Sequence, residues 1–149
     1  MMRAIGPPLT PQESARLVAE ARALLDVRFR HMGRSRRGVD CAGTVLMALL
    51  AIGRPFNDNN GEAYGREPFN GTLRKMLIEN LGAPIPREEM RVGDVPLMEF
   101  ENEPHHVGLL GDYQYGGLSL IHGYARVRKV VEHRLDKTWR NRIVEVYRP

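Results

Sequence analysis

The chain has 149 residues, 42% of them hydrophobic and 27% charged, which fits one globular domain over residues 1–149 and argues against a largely disordered chain. Lys plus Arg total 22 against 18 Asp plus Glu, a formal charge of +4; the basic residues are scattered, so no nucleic-acid partner is expected. No run approaches the roughly 18 apolar residues of a membrane span, and the N-terminus MMRAIGPPLTPQES lacks the apolar stretch of a secretory signal.

Residues 1–9 read as an irregular arm. Thr10-Pro11-Gln12-Glu13 then has the signature of a helix start: a capping hydroxyl, a proline at the first helical position and a glutamate three residues after the cap. Leu17, Val18, Ala21, Leu24 and Leu25 recur at helical spacing up to about Asp26. Val27 to Val39 is rich in Arg and Gly without a period and reads as a loop leading to Asp40 and Cys41. Ala42 to Ile52 contains Val45, Leu46, Leu49 and Leu50 and no charge, the pattern of a buried central helix.

Gly53 to Pro68, with Pro55 and the run Asn57-Asp58-Asn59-Asn60, reads as a loop that walls a substrate groove. A third helix is expected after Asn70, with Leu73, Met76, Leu77 and Leu81 as its buried stripe and Gly82 and Pro84 as its stop. Beyond Gly93-Asp94 the pattern changes to short apolar segments: Val95 to Phe100, His106 to Leu110, Leu118 to His122, Val127 to His133 and Ile143 to Tyr147. Helices followed by such a run predict an α+β fold in which a five-stranded antiparallel sheet packs on the central helix.

One cysteine cannot form an internal disulfide, so Cys41 is a small core side chain, a modification site or a reactive thiol. It stands in Gly38-Val39-Asp40-Cys41-Ala42-Gly43, where loop becomes helix. Unpaired N–H groups there favour a thiolate, predicting a depressed pKa, and can stabilise an oxyanion. Downstream, His105-His106-Val107-Gly108 opens one strand and His122 ends the next; pairing of the two would set His106 beside His122. A thiol, an imidazole base and a group that orients the base make a nucleophilic triad. Neighbouring residues on a strand face opposite ways, so only one of His105 and His106 can be the base.

His31 reads as a solvated loop residue, His133 as a strand-surface residue, and Trp139 as a partly buried anchor with an aromatic platform for sugar as the alternative. The histidines and Cys41 lack paired ligand spacing, so no metal is expected.

These motifs resemble the NlpC-type cell-wall peptidases, compact bacterial relatives of papain. The likeness lies in Gly38 to Gly43, in His106 to Gly108, in the strand-end His122 and in Gly93-Asp94-Val95, and covers roughly Ala15 to the C-terminus. The resemblance implies a papain-like fold with the nucleophile opening the central helix. It implies Cys41 as nucleophile, His106 as general base, His122 as the residue fixing its tautomer, and Asp40 as a holder of the free amino end of a stem peptide. Phe29 stands where the family often has tyrosine and Ala42 where it often has serine, each one hydroxyl fewer for substrate. Phe29 and His105 are expected to line the groove.

The implied reaction is hydrolysis of a peptidoglycan stem-peptide amide, between D-glutamate and the diamino acid, without any cofactor. The stretch Val130 to Arg140 is similar to phage-encoded members associated with tail tips. That likeness implies a virion location, tail-tip proteins as further partners, and otherwise a cytoplasmic protein until release. The alternatives are a structural tail-tip or assembly protein that keeps the peptidase fold, and an amidase or acyltransferase on the same scaffold.

Overall fold

The first helix begins where the capping residues place it. In the computed structural model, which describes residues 6–57, 71–100 and 103–149 with the side chains of 103 and 104 excepted, α1 spans Pro11–Arg22. The Thr10 hydroxyl accepts from the Glu13 N–H at 3.2 Å and the Glu13 carboxylate accepts from the Thr10 N–H at 3.0 Å. Two otherwise orphaned donors are thereby satisfied, a motif that contributes about 1 kcal/mol. Leu17, Val18 and Ala21 face the core, and the chain leaves the helix through a turn in which Asp26 has φ 70°. The described part of the N-terminal arm is irregular as expected, yet it is anchored: Leu9 is buried and donates its N–H to the Pro149 carbonyl at 3.0 Å.

The segment expected as a plain loop before Cys41 contains a small hairpin, β1 (Arg34–Ser35) and β2 (Gly38–Val39). Phe29 bridges to Val39 in parallel. The central helix α2 follows at Cys41–Ala51, with Cys41, Ala42, Gly43, Thr44, Val45, Leu46, Ala48 and Leu49 buried. Leu50, expected inside, is 50% exposed; a helix of this length wrapped by α1 on one side and strands on the other still leaves one strip open. The groove-wall loop lies outside the described residues from 58 to 70. α3 spans Thr72–Leu81 and buries Leu73, Met76, Leu77 and Leu81; Gly82 at φ 88° ends it in a backbone conformation that L side chains rarely adopt.

Strands then follow: β3 (Val95–Phe100), β4 (Glu103–Val107), β5 (Leu109–Asp112), β6 (Leu118–Tyr124), β7 (Lys129–Arg134) and β8 (Ile143–Tyr147). The mixed helix-and-antiparallel-sheet class is as expected, but the single five-stranded sheet is not. The described strands form two three-stranded antiparallel sheets besides the small hairpin, in the orders β4-β3-β8 and β5-β6-β7. The expected strand His106 to Leu110 is divided at Gly108, its first part pairing with β3 and its second with β6. Backbone bonds Gly93 N–H to Leu110 O at 2.8 Å and Leu110 N–H to Asp94 O at 2.9 Å stitch the sheets together at the break.

The Gly93-Asp94 pair has a structural use. Gly93 takes φ 93°, and the buried Asp94 carboxylate receives both Arg148 Nε and an Arg148 terminal nitrogen at 2.9 Å, which pins the C-terminus beside β3. A short helix that sequence reading did not anticipate, α4 (Lys137–Arg142), is capped by Asp136, whose carboxylate accepts from the Trp139 N–H at 3.0 Å. It carries Trp139 and Arg142 toward the ends of β4 and β6.

Candidate active site

Cys41 is the first residue of α2 and Asp40 is its N-cap. The Asp40 carboxylate accepts from the Gly43 N–H at 2.8 Å, from the Met32 N–H at 2.9 Å and from Arg34 at 2.8 Å. It is 1% exposed, so these bonds turn it into the protein. Through these bonds Asp40 positions the loop that presents Cys41.

Two glycines bring the remaining parts together. A Cβ on Gly123 would lie 2.8 Å from the Asp40 carbonyl oxygen and 2.9 Å from Thr44 Oγ1, so only glycine lets β6 run this close to the start of α2. A Cβ on Gly108 would lie 2.7 Å from Leu120 Cδ1 and 2.9 Å from the Ile121 carbonyl oxygen. The β5–β6 register pairs Leu109 with Ile121, and its continuation sets Gly108 opposite His122. The chain crosses from one sheet to the other at that point and delivers His106 to His122.

His106 Nε2 lies 2.7 Å from His122 Nδ1. His106 is 7% exposed and His122 fully buried. Sequence reading expected their proximity from a continuous paired strand; the proximity is found, but through the break at Gly108. That contact uses Nε2 of His106 and leaves Nδ1 outside the histidine pair. The backbone N–H groups of Val107, the residue after His106, and of Ala42 favour the thiolate form of Cys41.

His105 is the extra residue of a β-bulge, since Met98 pairs with His106 and Glu99 with Pro104; it is half-buried, and Phe100 meets its ring at 5.0 Å and that of His106 at 5.4 Å. Phe29 is half-buried and donates its N–H to the Arg128 carbonyl at 2.8 Å. His31 lies in the turn before β1.

His133, read as a strand-surface residue, joins the histidine pair, and Tyr124, which the sequence did not single out, and Trp139, read as a partly buried anchor, pack around it. His133 Nε2 lies 2.9 Å from His122 Nε2, extending the pair to a file of three imidazoles. Tyr124 stacks on His122 at 5.1 Å with 26° between the planes. Trp139 meets the rings of His122, Tyr124 and His133 at 4.9, 5.2 and 5.2 Å, covering the file as an aromatic lid. Arg142 sits over Phe100 and Trp139 at 4.8 and 4.5 Å, in the geometry of a cation–π contact.

The electrostatics correct one expectation. The Cys41 thiol is pushed up to about 12, first by burial and then by the Asp40 carboxylate, against the opposing help of the Val107 and Ala42 N–H groups and Arg34. The helix terminus alone predicted a depressed value, but its dipole is already capped by the Asp40 carboxylate. Burial, followed by the charges of His105, Arg142 and His133, pushes His106 down to about 3. Burial, His106 and His133 push His122 down to about 2. The resting site thus holds a neutral thiol and neutral imidazoles, so attack must be coupled to proton transfer.

Among the described residues no group of three His, Cys, Asp or Glu side chains is arranged to hold a metal ion. The histidine nitrogens of the file point at one another rather than at a shared centre.

The arrangement agrees with a family match over residues 26–148 to the NlpC/P60 family. The chain belongs to the NlpC/P60 family. Solved structures of the same fold include the NlpC/p60 domain of the peptidoglycan hydrolase SagA, at 20% identity and TM-score 0.63, covering 90% of this chain and 97% of that domain. A family protein from Bacillus cereus matches at 15% identity and TM-score 0.63 over 94% of this chain, which spans only 40% of its length. An N-acetylmuramoyl-L-alanine amidase from Bacteroides uniformis matches at 12% identity and TM-score 0.59, covering 92% of this chain and 97% of that one. No curated protein matches the chain by sequence.

Proposed function

We propose that this NlpC/P60 protein is a cysteine peptidase that hydrolyses an amide bond in peptidoglycan stem peptides, between D-glutamate and the diamino acid. The observation that carries the proposal is the ordered pair His106–His122 at 2.7 Å, together with Cys41 at the start of α2; in the proposal the free nitrogen of His106, Nδ1, serves that thiol. A buried imidazole pair at hydrogen-bond distance fixes the orientation of both rings, which is what a general base requires.

In the proposed reaction Cys41 Sγ attacks the scissile carbonyl as its proton passes to His106 Nδ1. The carbonyl oxygen takes up negative charge facing the N–H groups at the start of α2. His106 then gives that proton to the departing amine, leaving a thioester on Cys41. Water loses a proton to His106 and attacks the thioester, releasing the acid and restoring the thiol. Phe29 and His105 are assigned to the groove, where the missing hydroxyls at Phe29 and Ala42 alter recognition by about 1 to 3 kcal/mol. Delivery on a phage tail tip, with tail-tip proteins as partners and a virion location, belongs to the same proposal and rests on the sequence likeness of Val130 to Arg140.

A second reading, an amidase on the same scaffold, is favoured by the likeness to the Bacteroides uniformis amidase. Digestion of purified peptidoglycan by wild type and Cys41→Ala, with new termini identified by mass spectrometry, tests both. New diamino-acid amino groups support the endopeptidase, and new L-alanine amino groups support the amidase. Identical products from the two proteins, or none from either, would overturn the assignment to a cysteine hydrolase.

A further inference from the structure

The β6–β7 register pairs Leu120 with His133 and His122 with Val131, so His122 and His133 are diagonal neighbours on one sheet face, within reach of ring-to-ring contact. Their Nε2 atoms are 2.9 Å apart. At the far end, His133 Nδ1 lies 2.9 Å from the Arg134 carbonyl oxygen. A carbonyl can only accept, so Nδ1 of His133 carries a hydrogen, and a neutral His133 ring then has its lone pair on Nε2.

The consequence propagates. His122 must donate Nε2–H to that lone pair and therefore accepts at Nδ1. His106 must donate Nε2–H to His122 Nδ1 and therefore keeps its lone pair on Nδ1. One backbone carbonyl thus determines three tautomers, provided the rings stay neutral, and burial holds His106 and His122 in that form.

We propose that His133 is a positioning residue which, through its bonds to the Arg134 carbonyl and to His122, fixes the tautomer of the histidine file and leaves the lone pair of His106 on the nitrogen reserved for Cys41. The proposal rests on the hydrolase reading above for its kinetic consequence and on geometry alone for its tautomeric one. A side chain at 133 that offers only hydrogens reverses every bond in the file: His122 accepts at Nε2 and donates from Nδ1, His106 accepts at Nε2, and its hydrogen sits on Nδ1, where no base remains.

The test compares wild type with His133→Gln, His133→Met and His133→Lys, measuring kcat and KM on peptidoglycan, the melting temperature, and the protonation of each imidazole nitrogen by 15N NMR. Gln can accept from His122 and should retain kcat within about threefold. Met offers no comparable acceptor and should lose about tenfold or more, and Lys should lose more than Met, all with KM little changed. NMR should find His106 Nδ1 bare in wild type and Gln and protonated in Lys. A Met variant with wild-type kcat, a well-folded Gln variant as impaired as Met, or a wild-type His106 that carries its hydrogen on Nδ1 would overturn the proposal. If wild type cleaves no peptidoglycan, the hydrolase reading fails, and the NMR comparison of wild type with Lys alone decides the role of His133.

Discussion

His106 and His122 stand in different sheets, yet their ring nitrogens meet at 2.7 Å. The contact exists because the chain changes sheets at Gly108, against the backbone of Ile121 and the side chain of His122. Replacing His122 by Ala should lower kcat by about a hundredfold or more with little change in KM, since a base without its orienting partner presents the wrong nitrogen part of the time. The cavity left at a fully buried position will also lower the melting point. His122→Gln, which can accept from His106 Nε2, should recover part of the turnover. Unchanged turnover in the Ala variant would assign the orienting role elsewhere.

The two adjacent histidines should behave differently. His106 is 7% exposed and joined to His122, whereas His105 is the half-buried extra residue of the β3–β4 bulge. His106→Ala should abolish hydrolysis, while His105→Ala should cost less than about tenfold, roughly 1.4 kcal/mol of barrier. A dead His105→Ala with an active His106→Ala would assign the base to His105 instead.

The Cys41 thiol titrates far above the ordinary cysteine value of about 8.5, at about 12. Iodoacetamide labelling of the substrate-free protein should therefore lack a thiolate plateau below about pH 8.5. A labelling midpoint at or below that value would show that the thiol is an ion pair with imidazole at rest. By linkage, an unfolded chain loses this proton at lower pH than the folded one, so this group subtracts stability as pH rises beyond the unfolded value.

Acid should act on the histidines in the opposite direction. Their folded values, about 3 for His106 and about 2 for His122, lie below the ordinary value near 6.5. Between those limits the unfolded chain binds protons that the folded protein refuses, so stability should fall as pH drops below about 6.5. Melting temperatures from pH 8 to pH 4 should decline less steeply in His122→Gln than in wild type. Equal slopes would mean that His122 is not held neutral.

The parts of the fold that depend on local chemistry were legible in the sequence. The capping pair Thr10 and Glu13, the stripe Leu73, Met76, Leu77 and Leu81, and the strand limits Val95 and Phe100 all lie where their residue types require. The division at Gly108 was not legible, because one glycine inside an apolar run looks the same whether a strand continues or changes sheet. α4 has six residues, too few to show a helical period, although Asp136 three residues before Trp139 was a usable cap signal. His133 was misread as surface because alternation gives a residue's face but not its partner. Its place beside His122 follows from the turn at Arg128, with φ 65°, which sets the β6–β7 register. The raised thiol value was hidden for a similar reason: burial is a property of the assembled fold, and the helix start was visible while the layers that cover it were not.

The most direct measurement of the central claim is the intact mass of the protein after acid quenching during turnover of a defined stem peptide, L-alanyl-γ-D-glutamyl-diamino acid, by wild type and Cys41→Ala. The expected result is a wild-type adduct equal in mass to the acyl portion, mapped to Cys41, together with release of the free diamino acid, and neither adduct nor release in Cys41→Ala. Release of the diamino acid at equal rates by both proteins, with no adduct on either, would contradict it.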